Sequence, residues 1–245
     1  MKADTYIEIA SQTIDRAWRT QRQTINSAAK QITHAIIDKK KIYIFGCSHA
    51  GILAEEAFYR TGGLAVINPI FFPAMMLNTR PVTATSKVER VNGIGKLLVE
   101  ENDVAEGDVL ILHSVSGRNN VPIELALEAK KLGAHTISIT NLAYSSAVTS
   151  RHPSGKRLFE VTDLVIDNCG PVGDAVIELD GLAERTGPTS TVVGTALLNG
   201  LIVETIELLL AEGVIPPVFM SANLDGGDAH NRQIFETYGN QILYM

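Results

Sequence analysis

The sequence predicts an α/β fold, a three-layer doubly wound sheet that is mainly parallel and carries helices on both faces. Three observations predict it. Short apolar runs such as Ile42–Phe45, Val109–Leu112 and Thr136–Ile139 alternate with segments of helical period, and strands separated by helices are joined by parallel crossovers. Two of these runs lead into small polar turns that open a helix, Gly46-Cys47-Ser48 and Ser114-Val115-Ser116-Gly117. A composition of 45% hydrophobic and 20% charged residues supplies the core that such a sheet needs.

The elements follow in order. Residues 4–38 read as one helix. Its stripe runs through Ile7, Ala10, Ile14, Ala17 and Trp18, then Ile25, Ala28, Ala29, Ile32, Ile36 and Ile37, at three- and four-residue steps. The charged stretch 38–41 ends it. A strand at Ile42–Phe45 is followed by a helix near 49–61 and a strand at Leu64–Ile67. Residues 68–87 contain Pro69, Pro73 and Pro81 and read as irregular, long enough to be functional or to hide an element. Then come a helix over Glu89–Glu101, the strand Val109–Leu112, the helix Pro122–Leu132 and the strand Thr136–Ile139. Short strands at Leu164–Ile166 and Val176–Leu179 precede helices over Thr191–Ala211 and Asp228–Tyr238. The expectation is a single domain over 1–245, with an N-terminal helix at 4–38 and a C-terminal helical extension at 190–240.

Composition narrows the function. A formal net charge of −6 and no basic stripe argue against nucleic acid, although local backbone donors still suit an anionic small molecule. Cys47 and Cys169 are too few for a disulfide framework or a zinc ribbon. Asp225, Asp228 and His230 lack a ligand spacing, so no metal and no cofactor are expected. The apolar stretch from Gly194 to Ala211 holds Asn199, Glu204 and Glu207 and reads as a buried helix, not a membrane span. With no signal-peptide pattern at the start, the expected location is cytoplasmic.

The chemistry concentrates in the two turns. In the first, Gly46 permits a tight bend and Ser48 lies at a helix start, where unpaired N–H groups and the positive dipole end favour an anion. By itself this turn equally suits Ser48 as a helix cap. In the second, Ser114 and Ser116 bracket Val115, Gly117 allows close backbone approach, Asn119 sits at a helix start and Pro122 falls in its first turn. Neither is a dinucleotide fingerprint or a P-loop.

Together the turns resemble the two phosphate-binding motifs of the sugar isomerase (SIS) domain family. The first motif is Gly-x-Ser after a strand; the second is Ser-x-Ser-Gly, then a helix ending in Ala129-Lys130-Lys131-Leu132-Gly133-Ala134 before a strand. The likeness covers about residues 40–170 and is nearest the phosphoheptose isomerase-like subgroup. It implies that Ser48, Ser114, Ser116 and Asn119 hold the phosphate of a sugar, with Gly46, Cys47, His49 and Gly117 in the same loops. Two positions depart from the family pattern: Cys47, where many members carry Thr or Gly, and Asn119, where Thr is usual. The implied activity is aldose–ketose isomerisation of a phosphosugar. An amino-sugar-phosphate lyase or etherase and a non-catalytic phosphosugar sensor are alternatives. A homodimer is implied by the family and by the apolar faces at 4–37 and 191–211.

Isomerisation needs an acid–base group, usually Glu or His. Glu55 shares a helical face with Ser48, whereas Glu56 points about 100° away. Glu89 falls beside the second turn. His49 adjoins Ser48. His230 lies in a polar, Gly-rich segment late in the chain, where the resemblance places a base, sometimes across a dimer. Glu55, Glu89 and His230 are the expected catalytic residues. Cys47, at a helix start that favours thiolate, is read as packing or backbone support.

Overall fold

A computed structural model describes all 245 residues. The chain opens with two helices, α1 (Lys2–Thr20) and α2 (Arg22–Ile37). The single helix expected over 4–38 is broken at Gln21, whose backbone leaves helical values at φ −99° and ψ 4°. The apolar stripe survives the break because both helices lay their apolar faces on the same core, and periodicity alone does not register a one-residue bend. Next come β1 (Ile42–Gly46), a 3₁₀ turn at Ser48–Gly51 and the short α3 (Ile52–Ala57). The helix expected to reach residue 61 stops early, at an extended Phe58 followed by Tyr59 with φ 45°.

The second strand, β2 (Ile67–Pro69), starts where the expected strand Leu64–Ile67 ends. Leu64 instead forms an isolated antiparallel bridge with Val218. Residues 70–93 hold short 3₁₀ turns and α4 (Thr85–Val88); α5 (Ile94–Glu101) follows. Glu89 therefore ends α4 and does not begin a helix running to 101. The remaining order is β3 (Val109–His113), α6 (Asn120–Lys131), β4 (His135–Thr140), α7 (Leu142–Ser146), β5 (Leu164–Asp167), β6 (Ala175–Ile177), β7 (Thr186–Pro188), α8 (Ser190–Ala211) and α9 (Gly227–Tyr238).

Strands β1 to β5 form one fully parallel sheet in the order β2-β1-β3-β4-β5. The run expected at Val176–Leu179 lies outside it, as β6 paired antiparallel with β7. Alternate strand residues serve opposite faces. Ile42 and Ile44 join α1, α2, α3 and α8 on one side, while Tyr43 and Phe45 join α5 and α6 on the other. This is the three-layer doubly wound architecture. The outer edge of β2 is tied to the C-terminus through buried Asn68, whose Nδ2 donates to Gln241 O at 2.8 Å and whose Oδ1 accepts from Leu243 N at 2.7 Å. Covering an edge strand removes a site for unwanted pairing.

Helix α8 is long and apolar enough to cross a membrane by length and composition. In this fold it packs against α1, α2 and α3. Its Glu204, 8% exposed, accepts from Arg22 Nη1 at 2.6 Å and from Asn26 Nδ2 at 2.7 Å. Glu56 of α3 pairs with Arg60 and accepts from Asn199 Nδ2 at 3.0 Å, joining α3 to α8.

Candidate functional site

The sheet order reverses at β1, whose neighbours β2 and β3 lie on either side. In open parallel sheets the crevice beyond the carboxyl ends of the strands at such a switch point receives ligands. Gly46 and His113 are register partners at the carboxyl ends of β1 and β3, so both expected loops leave the sheet side by side. His113 joins them: Nδ1–H donates to Ala50 O at 2.9 Å. Burial pushes its imidazole down to about 4, against the opposing contact with Ala50 and the charge of Asp174. The ring is therefore a neutral structural donor.

The first loop is tight. A Cβ on Gly46 would lie 2.3 Å from Ala50 O, so only glycine fits there. Ser48 adopts φ 55°, the left-handed region that costs a non-glycine residue about 1–2 kcal/mol. An observed outlier of this kind is a pointer to function. Cys47 is 7% exposed, and its Sγ lies 3.5 Å from Met75 Sδ. Burial, then the charge of Glu89, pushes its thiol well up, so burial overrides the helix-start preference for thiolate and the side chain packs. His49 is exposed and makes no hydrogen bond through its ring.

In the second loop Thr140 Oγ1 donates to Ser114 O at 2.7 Å, and Leu158 N donates to Gly117 O at 2.8 Å. Gly117 has φ 58°, and a Cβ there would meet Ser145 Oγ at 2.8 Å. These contacts hold the carbonyls back. The five consecutive backbone N–H groups from Val115 to Asn119 donate to no acceptor in the chain. The hydroxyls of Ser48, Ser114 and Ser116 likewise have no hydrogen-bond partner within the chain. Unpaired donors gathered at a helix entry form an anion-binding concavity.

Glu89 is half-buried beside this loop. Val121 N donates to its carbonyl at 3.2 Å, fixing it against the first turn of α6. Burial raises the Glu89 carboxyl above its usual range, while a hydrogen bond from Asn119 and the charges of Arg90 and Arg151 hold the rise in check. Asn119 is 8% exposed, and its Oδ1 accepts from Arg151 Nη1 at 2.6 Å. Its side chain, expected on the phosphate, is thus shared between Arg151 and Glu89.

Residues 5–141 match the family model of the SIS domain. The chain belongs to the SIS domain family. Full-length SIS relatives include a UPF0309 protein of Shouchella clausii, 50% identical over 98% of this chain and 100% of the relative. One from Oceanobacillus iheyensis is 52% identical over 90% of each. Among solved SIS folds, phosphoheptose isomerase from Neisseria gonorrhoeae aligns with TM-score 0.54 and 16% identity, over 84% of this chain and 97% of that one. The Francisella tularensis phosphoheptose isomerase aligns with TM-score 0.53 and 17% identity over the same shares. An Escherichia coli CFT073 protein in complex with a phosphosugar gives TM-score 0.50 and 18% identity, over 84% and 88%. At these identities the likeness shows the fold.

Within the SIS frame, the expected residues divide. Gly46, Ser48 and Glu55 line one small cleft with Phe71 and Phe72. Glu89 meets Asn119 of the second loop and acts electrostatically on Cys47 of the first. His230 stands apart within one chain. Its Nε2 lies 2.9 Å from Val218 O. Val218 pairs with Leu64, ahead of β2 and so at the amino end of the sheet. No sequence pattern reveals this, because the reversal of direction after α8 is a tertiary event. Sequence reasoning also missed Arg151, Arg90 and Arg118 around Glu89. Their spacing carries no motif, and only the charge imbalance at the loop exposes them.

Proposed function

We propose that this chain is a phosphosugar isomerase of the aldose–ketose type, with the whole of 1–245 acting as one SIS unit. One observation carries the reading: five unpaired N–H groups at Val115–Asn119 and three unpaired hydroxyls at Ser48, Ser114 and Ser116 sit at the sheet's switch point. A phosphate dianion satisfies such a set. Anchoring it there positions the sugar carbons for reaction without contacting them. The phosphoheptose isomerase neighbours and the Escherichia coli phosphosugar complex support the same ligand class.

Glu89 is the proton carrier in this reading. Its carboxylate takes the proton from the carbon beside the carbonyl, leaving an enediol, and the resulting acid returns a proton to the adjacent carbon. The cycle is proton-neutral, and a raised carboxyl pKa brings the base closer to working pH. Glu55, across the first loop, is placed to serve the ring or carbonyl oxygens. His230 joins the site only if a second chain presents it, which ties its role to the proposed homodimer. Sedimentation analysis tests that assembly directly.

Calorimetry against a panel of five- to seven-carbon sugar phosphates, followed by NMR of any bound sugar in heavy water, tests the activity. Exchange of the C2 hydrogen with conversion of aldose to ketose is expected. Retained sugar-phosphate affinity in Ser116→Glu would remove the site assignment, and binding without turnover across the panel would leave a sensor.

A further inference from the structure

Three arginines from separate stretches converge on the first turn of α6. Arg151 N donates to Arg118 O at 2.8 Å, and Arg151 Nη1 donates to Asn119 Oδ1 at 2.6 Å. Asn120 Nδ2 donates to Arg90 O at 2.7 Å. Arg118 is steered by its Nε and Nη2 donating to Thr149 O and Oγ1 at 3.0 and 3.3 Å. None of the three forms an ion pair. The carboxylate acting on this group is Glu89, which leaves three guanidiniums against one negative charge. Desolvation, then Arg118 and Arg90, lower the pKa of Arg151, so the gathering of like charge has a cost.

That cost is notable in a chain with 27 acidic residues and a net charge of −6, where a balancing carboxylate was available in composition. The phosphate is already matched by the backbone and hydroxyl donors of the two loops. Guanidinium pairs carboxylate through parallel N–H donors in one plane. The geometry points to a second anionic group on the substrate, a carboxylate bound by Arg90, Arg118 and Arg151, which makes the substrate class a phosphorylated sugar acid. This inference rests on the phosphosugar reading of the two loops.

Calorimetry at one fixed salt concentration separates the claims, using 6-phosphogluconate, sorbitol 6-phosphate and gluconate as probes. Sorbitol 6-phosphate has the same carbon chain and phosphate but no carboxylate. The intact chain is expected to bind 6-phosphogluconate about tenfold or more tighter than sorbitol 6-phosphate, the gain of a charge-assisted contact. The double variant Arg90→Gln/Arg118→Gln is expected to erase that preference and keep sorbitol 6-phosphate affinity. Arg90→Lys/Arg118→Lys, which keeps charge without the fork, is expected to restore part of it. Equal affinity for the two phosphates in the intact chain overturns the inference alone. So does a parallel loss of both in the Gln variant, which would assign the arginines to the phosphate. Failure of both phosphorylated probes to bind removes the phosphosugar reading and the inference together.

Discussion

Arg151 Nη1 donates to Asn119 Oδ1 at 2.6 Å, and the Asn119 amide in turn hydrogen-bonds the Glu89 carboxyl. An amide has one acceptor end and one donor end. Once the acceptor end is held by a guanidinium, the donor end is oriented toward the carboxylate. Arg151 is thus a positioning residue for the proposed base, acting both through Asn119 and through its own charge.

The pH profile of turnover reads this arrangement. Glu89 works as a carboxylate, so kcat/KM falls as pH drops through its raised pKa. Asn119 and Arg151 both lower that pKa. Asn119→Ala and Arg151→Gln are therefore expected to move the acid limb to higher pH, while Arg151→Lys keeps it near its original position. An unmoved limb in both disruptive variants would show that another group carries the titration.

Removing the base itself separates binding from chemistry. Glu89→Gln is expected to lower kcat by about 10²–10⁴-fold with sugar-phosphate affinity retained. Steady-state kinetics with parallel calorimetry checks this. Wild-type kcat in the variant would shift the assignment toward Glu55.

Ser48 combines a left-handed backbone with an unpaired hydroxyl. Ser48→Gly removes the hydroxyl while easing the backbone, so thermal stability is expected to hold or rise as phosphate affinity falls. A hydrogen bond to a charged group contributes about 1.5–3 kcal/mol. Ser48→Val, β-branched at φ 55°, is expected to lose stability as well as affinity. Equal melting temperatures for the Gly and Val variants would contradict the strain argument.

Gly46→Ala would place a Cβ 2.3 Å from Ala50 O and 2.5 Å from Ala50 C, both backbone atoms with no free rotor to yield. The whole turn must move. The expected loss is at the upper end of overpacking costs, about 3 kcal/mol, with loss of binding, and denaturant unfolding measures it.

His113 makes stability depend on pH. Its folded pKa of about 4 lies below the unfolded value of 6.5, so the unfolded chain takes the proton first. The contribution is complete above pH 6.5 and is lost as pH falls toward 4, by about 3 kcal/mol at most. His113→Asn keeps a donor toward Ala50 and removes the titration. The variant is expected to show a shallower fall between pH 6.5 and 4, by urea unfolding across that range. An identical slope in both proteins would place the titrating group elsewhere.

Much of this was legible in order along the chain. The strands Ile42–Phe45, Val109–Leu112 and Thr136–Ile139 announce themselves because a strand buried on both faces is a short continuous apolar run. The turns at Gly46-Cys47-Ser48 and Ser114-Val115-Ser116-Gly117 are equally visible, since tight bends and hydroxyl donors require particular residues at adjacent positions. The break at Gln21 was not visible, because both helices feed one core and the apolar stripe runs through the bend. The antiparallel β6–β7 pair was half visible: Val176–Leu179 looks like a strand, but whether it joins the main sheet depends on what it pairs with.

The sequence by itself determined the α/β class, the two phosphate-type turns and the absence of any metal or disulfide framework to expect, because each depends on residues that are neighbours in the chain. The tertiary structure alone decided that Glu89 lies between the loops, that Asn119 is turned to it by Arg151, and that His230 sits at the opposite end of the sheet. Those facts depend on which strand lies beside which and where each crossover returns. Periodicity reports which face of an element is buried, but it holds no information on what packs against that face.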